Sequence, residues 1–198
     1  MPPFETLLAM IGFALAASAT PGPVNIVGAM TGARYGAARA LAFVTGATAS
    51  FLVLFLAFGT GMLAGTGWIL MLARPMTVIG SIYLLWMAWG LARDDGMVER
   101  QGLDHTPGFW SGALVQGLNP KAWLAVFSSL STFVLPLANR GTGLIVFAVL
   151  FGAICWLSLA LWAWGGARVG QRRMRLFNRL MALALAVSVA WMLAGTFM

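Results

Sequence analysis

Six long stretches of this chain carry no charged side chain: Thr6–Ala33, Ala40–Ala73, Pro75–Ala92, Ala122–Asn139, Gly141–Ala167 and Leu180–Met198. A bilayer crossing needs about 20 predominantly apolar residues, so most of these stretches have room for one crossing each. The run from Ala40 to Ala73 is too long for one crossing and too short for two. Its glycines Gly59, Gly61, Gly65 and Gly67 mark where the helix should end. Inside hydrocarbon every backbone polar group must be satisfied by the protein, which leaves only helices and closed barrels. Barrel strands would show segments of about 10 residues with alternating polarity, and these runs are apolar throughout. The chain therefore reads as an all-α integral membrane protein with six transmembrane helices, roughly 4–30, 38–60, 68–92, 109–136, 142–166 and 177–197. At 61% hydrophobic and 9% charged, its 198 residues carry far more apolar surface than a soluble domain of that size needs.

The net charge of +7 does not indicate nucleic acid, because the basic residues sit at predicted helix ends with no soluble domain to carry them. Loops after odd-numbered spans hold nine arginines (Arg34, Arg39, Arg93, Arg100, Arg168, Arg172, Arg173, Arg175, Arg179), and loops after even-numbered spans hold two, Arg74 and Arg140. The positive-inside rule then places the odd loops in the cytoplasm and both termini outside it. The Arg168–Arg179 cluster reads first as a topology determinant, and such a cluster can also hold anionic lipid. Ala17-Ser18-Ala19 imitates a signal cleavage site, but the preceding segment has no Lys or Arg and carries Glu5, so the first span is expected to be retained.

Lys121 is the only lysine, and it lies inside the predicted span 109–136. At about 1.5 Å per residue it stands roughly 20 Å along that span, beyond easy reach of either interface. An intramembrane ammonium costs at least about 2.5 kcal/mol on insertion scales and needs a partner, a wet cavity or a substrate. It follows Asn119-Pro120, so the helix breaks where the charge enters. The first span is interrupted in the corresponding place by Thr20-Pro21-Gly22-Pro23. Each break opens a three-helix half, and an odd number of helices per half makes the second half inverted. Paired interruptions in two such halves point to a transporter site. Proline frees backbone carbonyls, which can hold an ammonium, and helix N-termini can hold a carboxylate. An amino-acid zwitterion offers both charges. The candidate substrate-binding residues are therefore Thr20, Pro21, Gly22, Pro23, Asn25, Asn119, Pro120 and Lys121, with Lys121 on the carboxylate and Thr20, Asn25 and Asn119 as polar contacts.

Other residues carry plainer readings. Cys155 is the only cysteine, so the chain holds no internal disulfide and no thiol pair for redox transfer. His105 stands alone in the polar segment from Arg93 to Pro107, which argues against a transition-metal site. Gly28, Gly32 and Gly36, and again Gly61 and Gly65, have the spacing of close helix packing. Trp68, Trp110, Trp162 and Trp164 fall near predicted span ends, as an aromatic belt would. Ser128, Ser129, Ser131 and Thr132 follow the second break. They can line a polar path or bond back to their own helix.

Three motifs resemble the amino-acid exporters of the lysine exporter and homoserine/threonine exporter family: Ala19-Thr20-Pro21-Gly22-Pro23-Val24-Asn25, Gly80-Ser81-Ile82-Tyr83-Leu84-Leu85-Trp86, and Gly117-Leu118-Asn119-Pro120-Lys121. They occur in family order across nearly the whole length. Phe109-Trp110, Leu130–Pro136 and Cys155-Trp156 are most similar to the cysteine and O-acetylserine exporter branch. The resemblance implies one six-helix domain over residues 1–198 in a bacterial plasma membrane, exporting a small amino acid or derivative and driven by the proton gradient. It implies no cofactor, no metal and no enzyme activity. The expected partners are the substrate, protons, membrane lipid and a second copy in a homodimer, with no nucleic acid. One position departs from the family. Many members carry an acid after a Gly-rich turn in the second span, where this chain has Gly46-Ala47-Thr48-Ala49-Ser50-Phe51. Phe51 in that place disfavours a cationic substrate. It leaves the coupling proton to Lys121 or to the substrate itself.

Two rival readings remain at this level. A non-transporting interaction subunit would use the small-residue faces to bind partners but leaves the buried lysine unexplained. An integral membrane enzyme lacks the means, with no Asp, Glu or His in the interior of any predicted span and Glu5 at the outer edge of the first.

Overall fold

The structure, a computed structural model, describes residues 1–63, 73–93, 106–169 and 173–197. Within them the chain forms α1 (Phe4–Ala19), α2 (Pro23–Tyr35), α3 (Ala37–Leu63), α4 (Ala73–Arg93), α5 (Phe109–Gly117), α6 (Pro120–Ser129), α7 (Arg140–Gly166) and α8 (Met174–Phe197). A π-helical turn, Leu130–Val134, extends α6. No strand occurs among the described residues. Asp94, Asp95, Glu99, Arg100, Asp104 and His105 lie outside the described residues, as do Gly65, Gly67, Trp68 and Arg172.

Among the described residues α3 and α7 are each long and apolar enough to cross a membrane. The pair α1–α2, bent by 57° at its break, passes the same test if taken as one broken span. The exposed surface suits that solvent. Ile145, Val149, Leu157 and Leu161 recur along one side of α7 and are each more than half exposed, while Leu144, Phe147, Phe151, Cys155 and Leu159 are buried on the other. In water such an apolar stripe would be a liability, and in lipid it is the ordinary outer face.

Helix ends follow from local chemistry. The first span does not stop near residue 30 but runs to Tyr35, where Gly36 ends it at φ 88°. That left-handed conformation is open to glycine without the Cβ clash. Gly36 therefore serves as a cap, and no neighbour stands within 4 Å of the place its Cβ would take. The predicted helix 109–136 is divided into α5, α6 and the π turn, and Pro136 blocks further regular hydrogen bonding. Asn139 caps α7 by accepting from the Thr142 N–H at 3.0 Å.

The core is an aromatic ladder between α3 and α7. Phe51 stacks on Phe151 with ring centroids 3.9 Å apart, Phe55 on Phe147 at 4.9 Å, and Phe147 on Phe151 at 5.6 Å. Without water to expel, helices in a membrane associate through such packing and through close backbone approach. Glycines supply the approach. A Cβ on Gly32 would strike the Ala163 carbonyl, and one on Gly166 would strike the Ala29 carbonyl, which locks α2 to α7. A Cβ on Gly46 would strike Phe109, and one on Gly112 would strike Phe43, which locks α3 to α5. α4 packs against α8, and α1 also lies against α7.

Candidate functional site

The first break is built by two prolines. Pro21 has no N–H to continue α1, and it holds the preceding Thr20 in an extended conformation, φ −61° and ψ 132°. Gly22 is fully extended at φ −164°, and Pro23 opens α2, in the first turn, where no donor is needed. A helix end leaves carbonyls without intrahelical partners, and inside a membrane protein they must find others. Ala16 O accepts from the Thr20 N–H at 3.3 Å and also from the Thr20 hydroxyl. Ser18 O accepts from Asn25 Nδ2 at 2.7 Å. Ala19 O accepts from Trp162 Nε1 on α7 at 3.2 Å. Thr20 O accepts from Lys121 Nζ at 2.7 Å. The lone lysine thus crosses from the second break to the first, and its ammonium sits on the carbonyl end of α1.

The second break is held by amides. Asn119 caps α6 through Oδ1, which accepts from the Lys121 N–H at 3.1 Å, while its Nδ2 donates to Gln116 Oε1 at 3.0 Å. Trp123 Nε1 donates to Gly117 O at 2.8 Å, covering a carbonyl whose helical partner, the Lys121 N–H, is taken by Asn119 Oδ1. Asn119 and Gln116 are buried, and Lys121 is half-buried.

Between the breaks lies a small cavity whose walls include Ser18, Asn25, Phe51, Gln116, Asn119, Lys121, Phe151 and Cys155. They bound about 360 Å³ of atom-free space, part of it open to the outside, of which about 30 Å³ can take the centre of a water molecule. No Asp or Glu is among the lining residues, and no group of metal-binding side chains occurs among the described residues.

The candidate residues fare differently. Asn25, Asn119 and Lys121 meet at the cavity. Gly22 faces Lys121 directly, since a Cβ there would stand 3.1 Å from its Cδ and 3.3 Å from its Nζ. Thr20 takes part through its carbonyl, while its hydroxyl turns back to Ala16. Pro21 is exposed, and Pro23 and Pro120 are buried at the first turns of α2 and α6, shaping the breaks from outside the cavity. Ser129 and Ser131 bond back to Val126 O and Phe127 O, and none of the four hydroxyl residues after the second break lines the cavity. Trp162, read from sequence as a belt residue, donates to Ala19 O.

Ser18, Gln116 and Phe151 are lining residues that sequence reasoning did not nominate. Gln116 is the one glutamine inside a predicted span, a signal that was available. Ser18 and Phe151 look like ordinary membrane-helix residues. Cys155, read from sequence as a lone thiol and as part of a family likeness, also stands in the wall.

An all-helical chain with membrane-spanning helices, two broken segments and a polar cavity between them is an integral membrane protein with the makings of a translocator. The LysE type translocator family matches residues 15–197, and the chain belongs to that family. It is accordingly a transporter and not an enzyme. It is 30% identical to a cysteine/O-acetylserine efflux protein of Klebsiella pneumoniae subsp. pneumoniae over 191 residues, covering 94% of this chain and 90% of the relative. It is 28% identical to a cysteine/O-acetylserine efflux protein of Escherichia coli K12 over 185 residues, covering 90% and 91%. No solved structure matches.

Proposed function

We propose that this chain exports a small neutral amino acid or derivative, with cysteine and O-acetylserine as first candidates, from the cytoplasm across a bacterial inner membrane. The observation that carries this reading is the Lys121 ammonium on the Thr20 carbonyl, at the wall of a cavity between two proline breaks. An amino-acid zwitterion fits such a place. Its carboxylate pairs with Lys121 and the positive N-terminal end of α2, and its ammonium takes carbonyls at the end of α1. The names of the relatives point to the same substrate class. Phe51 and the absence of a lining carboxylate favour a neutral side chain over a cationic one.

In this reading there are six spans in two inverted three-helix repeats: α1–α2, α3 and α4, then α5–α6, α7 and α8. The packing supports the pairing. Each broken span lies against the unbroken second span of the other half, α2 on α7 and α5 on α3, and the third spans α4 and α8 lie together. Alternating access would rock the halves about the breaks. Proton coupling would run through Lys121 or through the substrate. Both termini would lie outside the cytoplasm, anionic lipid would sit at Arg168–Arg179, and two copies would form a homodimer.

Of the small-residue positions that the interaction-subunit reading uses, Gly32 is occupied by a contact inside this chain, against the Ala163 carbonyl. The deciding experiment is efflux from cells preloaded with a panel of amino acids. Lys121→Ala is expected to reduce export of the substrate by about 10- to 100-fold, the worth of a charge-assisted hydrogen bond, with unchanged amounts in the membrane. Undiminished efflux would overturn the site.

A further inference from the structure

We infer that Ser18 and Cys155 form the specificity-determining end of the cavity, reading a short substrate side chain that carries one polar atom on its β-carbon. This rests on the exporter reading and adds to it the residues that choose among small amino acids.

Ser18 is 6% exposed, lines the cavity, and its Oγ has no hydrogen-bond partner. Among the described residues Ser81 is the other buried hydroxyl in that state, and it lies outside the cavity. Thr20, Thr31, Thr45, Thr60 and Ser131 all turn their hydroxyls back to the carbonyl four residues earlier. Ser18 does not, although its place on α1 allows the same bond. A buried hydroxyl left unpaired where pairing was available calls for a reason, and a ligand atom is the simplest one. Its polar neighbours include the Asn25 amide, which takes the Ser18 carbonyl, and the thiol of Cys155, a weak partner.

Cys155 is 3% exposed and lines the same cavity from α7, with Thr48 Oγ1 at 4.0 Å from its sulfur. Several of the other polar groups hold partners within the protein. Asn25 Nδ2 holds Ser18 O, Asn119 uses both ends of its amide, and Lys121 holds Thr20 O. The stacked rings of Phe51 and Phe151 line the cavity too and limit the length it accepts. A β-thiol, β-hydroxyl or β-acyloxy group would meet a hydroxyl on one side. Sulfur and ring faces, which favour soft atoms, would stand on the other.

The test uses purified full-length protein in proteoliposomes and compares counterflow of labelled cysteine, kept reduced, with that of labelled alanine, which differs by the one polar atom. Ser18→Ala is expected to lower the cysteine-to-alanine rate ratio about tenfold, the worth of one neutral hydrogen bond. An unchanged ratio, with both rates intact or both reduced together, overturns the inference. If Ser18→Ala fails to insert, Cys155→Ala decides. The ratio is expected to fall and valine to gain relative to alanine, and no change in either overturns the inference. A wild type that moves cysteine and alanine equally well also overturns it while leaving the exporter reading intact. A wild type that moves no amino acid defeats both.

Discussion

The carbonyl of Thr20 and the ammonium of Lys121 lie 101 positions apart in sequence and 2.7 Å apart in space. Their meeting gives the lone lysine a partner, a helix end that itself needs a donor. Gly22 makes room for the contact. Gly22→Ala would set a methyl group 3.1 Å from Lys121 Cδ, tighter than ordinary van der Waals contact. The backbone itself would accept alanine, being extended at φ −164°. The expected outcome is therefore a protein that inserts normally while export falls several-fold, measured as efflux per unit of membrane protein. Wild-type efflux would show that Lys121 does not need this position. Asn119→Ala acts differently. It removes the cap of α6 and the tie to Gln116, and a lost cap costs about 1 kcal/mol. A lower melting temperature in detergent is the check.

At the scale of the helix, residues that share one motif do separate jobs. Gly28, Gly32 and Gly36 read alike in sequence. Gly32 seats α2 against the Ala163 carbonyl, Gly36 caps the helix at positive φ, and the Cβ position of Gly28 meets only the Phe43 ring at 3.7 Å. Gly32→Leu is expected to force α2 off α7 and remove most folded protein from the membrane. Gly28→Ala, which reaches only ordinary contact, is expected to leave most of it in place. Fluorescence-detected size exclusion of tagged protein separates the two. Equal yields from both variants would mean that α2 and α7 need not touch. The helix breaks themselves were legible, because proline has one physical effect wherever it falls inside a helix. The π turn was not, since Leu130–Val134 contains no residue that forces five-residue bonding.

For the whole molecule, the arginine distribution makes a topological prediction. A reporter fused after Met198 is expected to be active on the outer side of the membrane. One placed at Arg39, between the first and second spans, is expected to be active in the cytoplasm. The reverse pattern would invert the orientation and with it the direction assigned to transport. The sequence alone determined the solvent, the helical class, the two breaks and the charged residue beside one of them. Each of these is a local property, settled by uncharged length, proline chemistry or the solvation of an ammonium. It also placed Asn25, Asn119 and Lys121 in one site, because polar groups in apolar runs have few other places to go. The tertiary structure decided what the breaks meet. It brought the end of α1 to the start of α6, sent Trp162 to Ala19 O, and set Phe151 and Cys155 of α7 into the same wall as Ser18 and Phe51. Nothing local distinguishes Ser18 from a solvated or back-bonded serine. Its role depends on which helices surround it, and that is settled by packing between residues far apart in the chain.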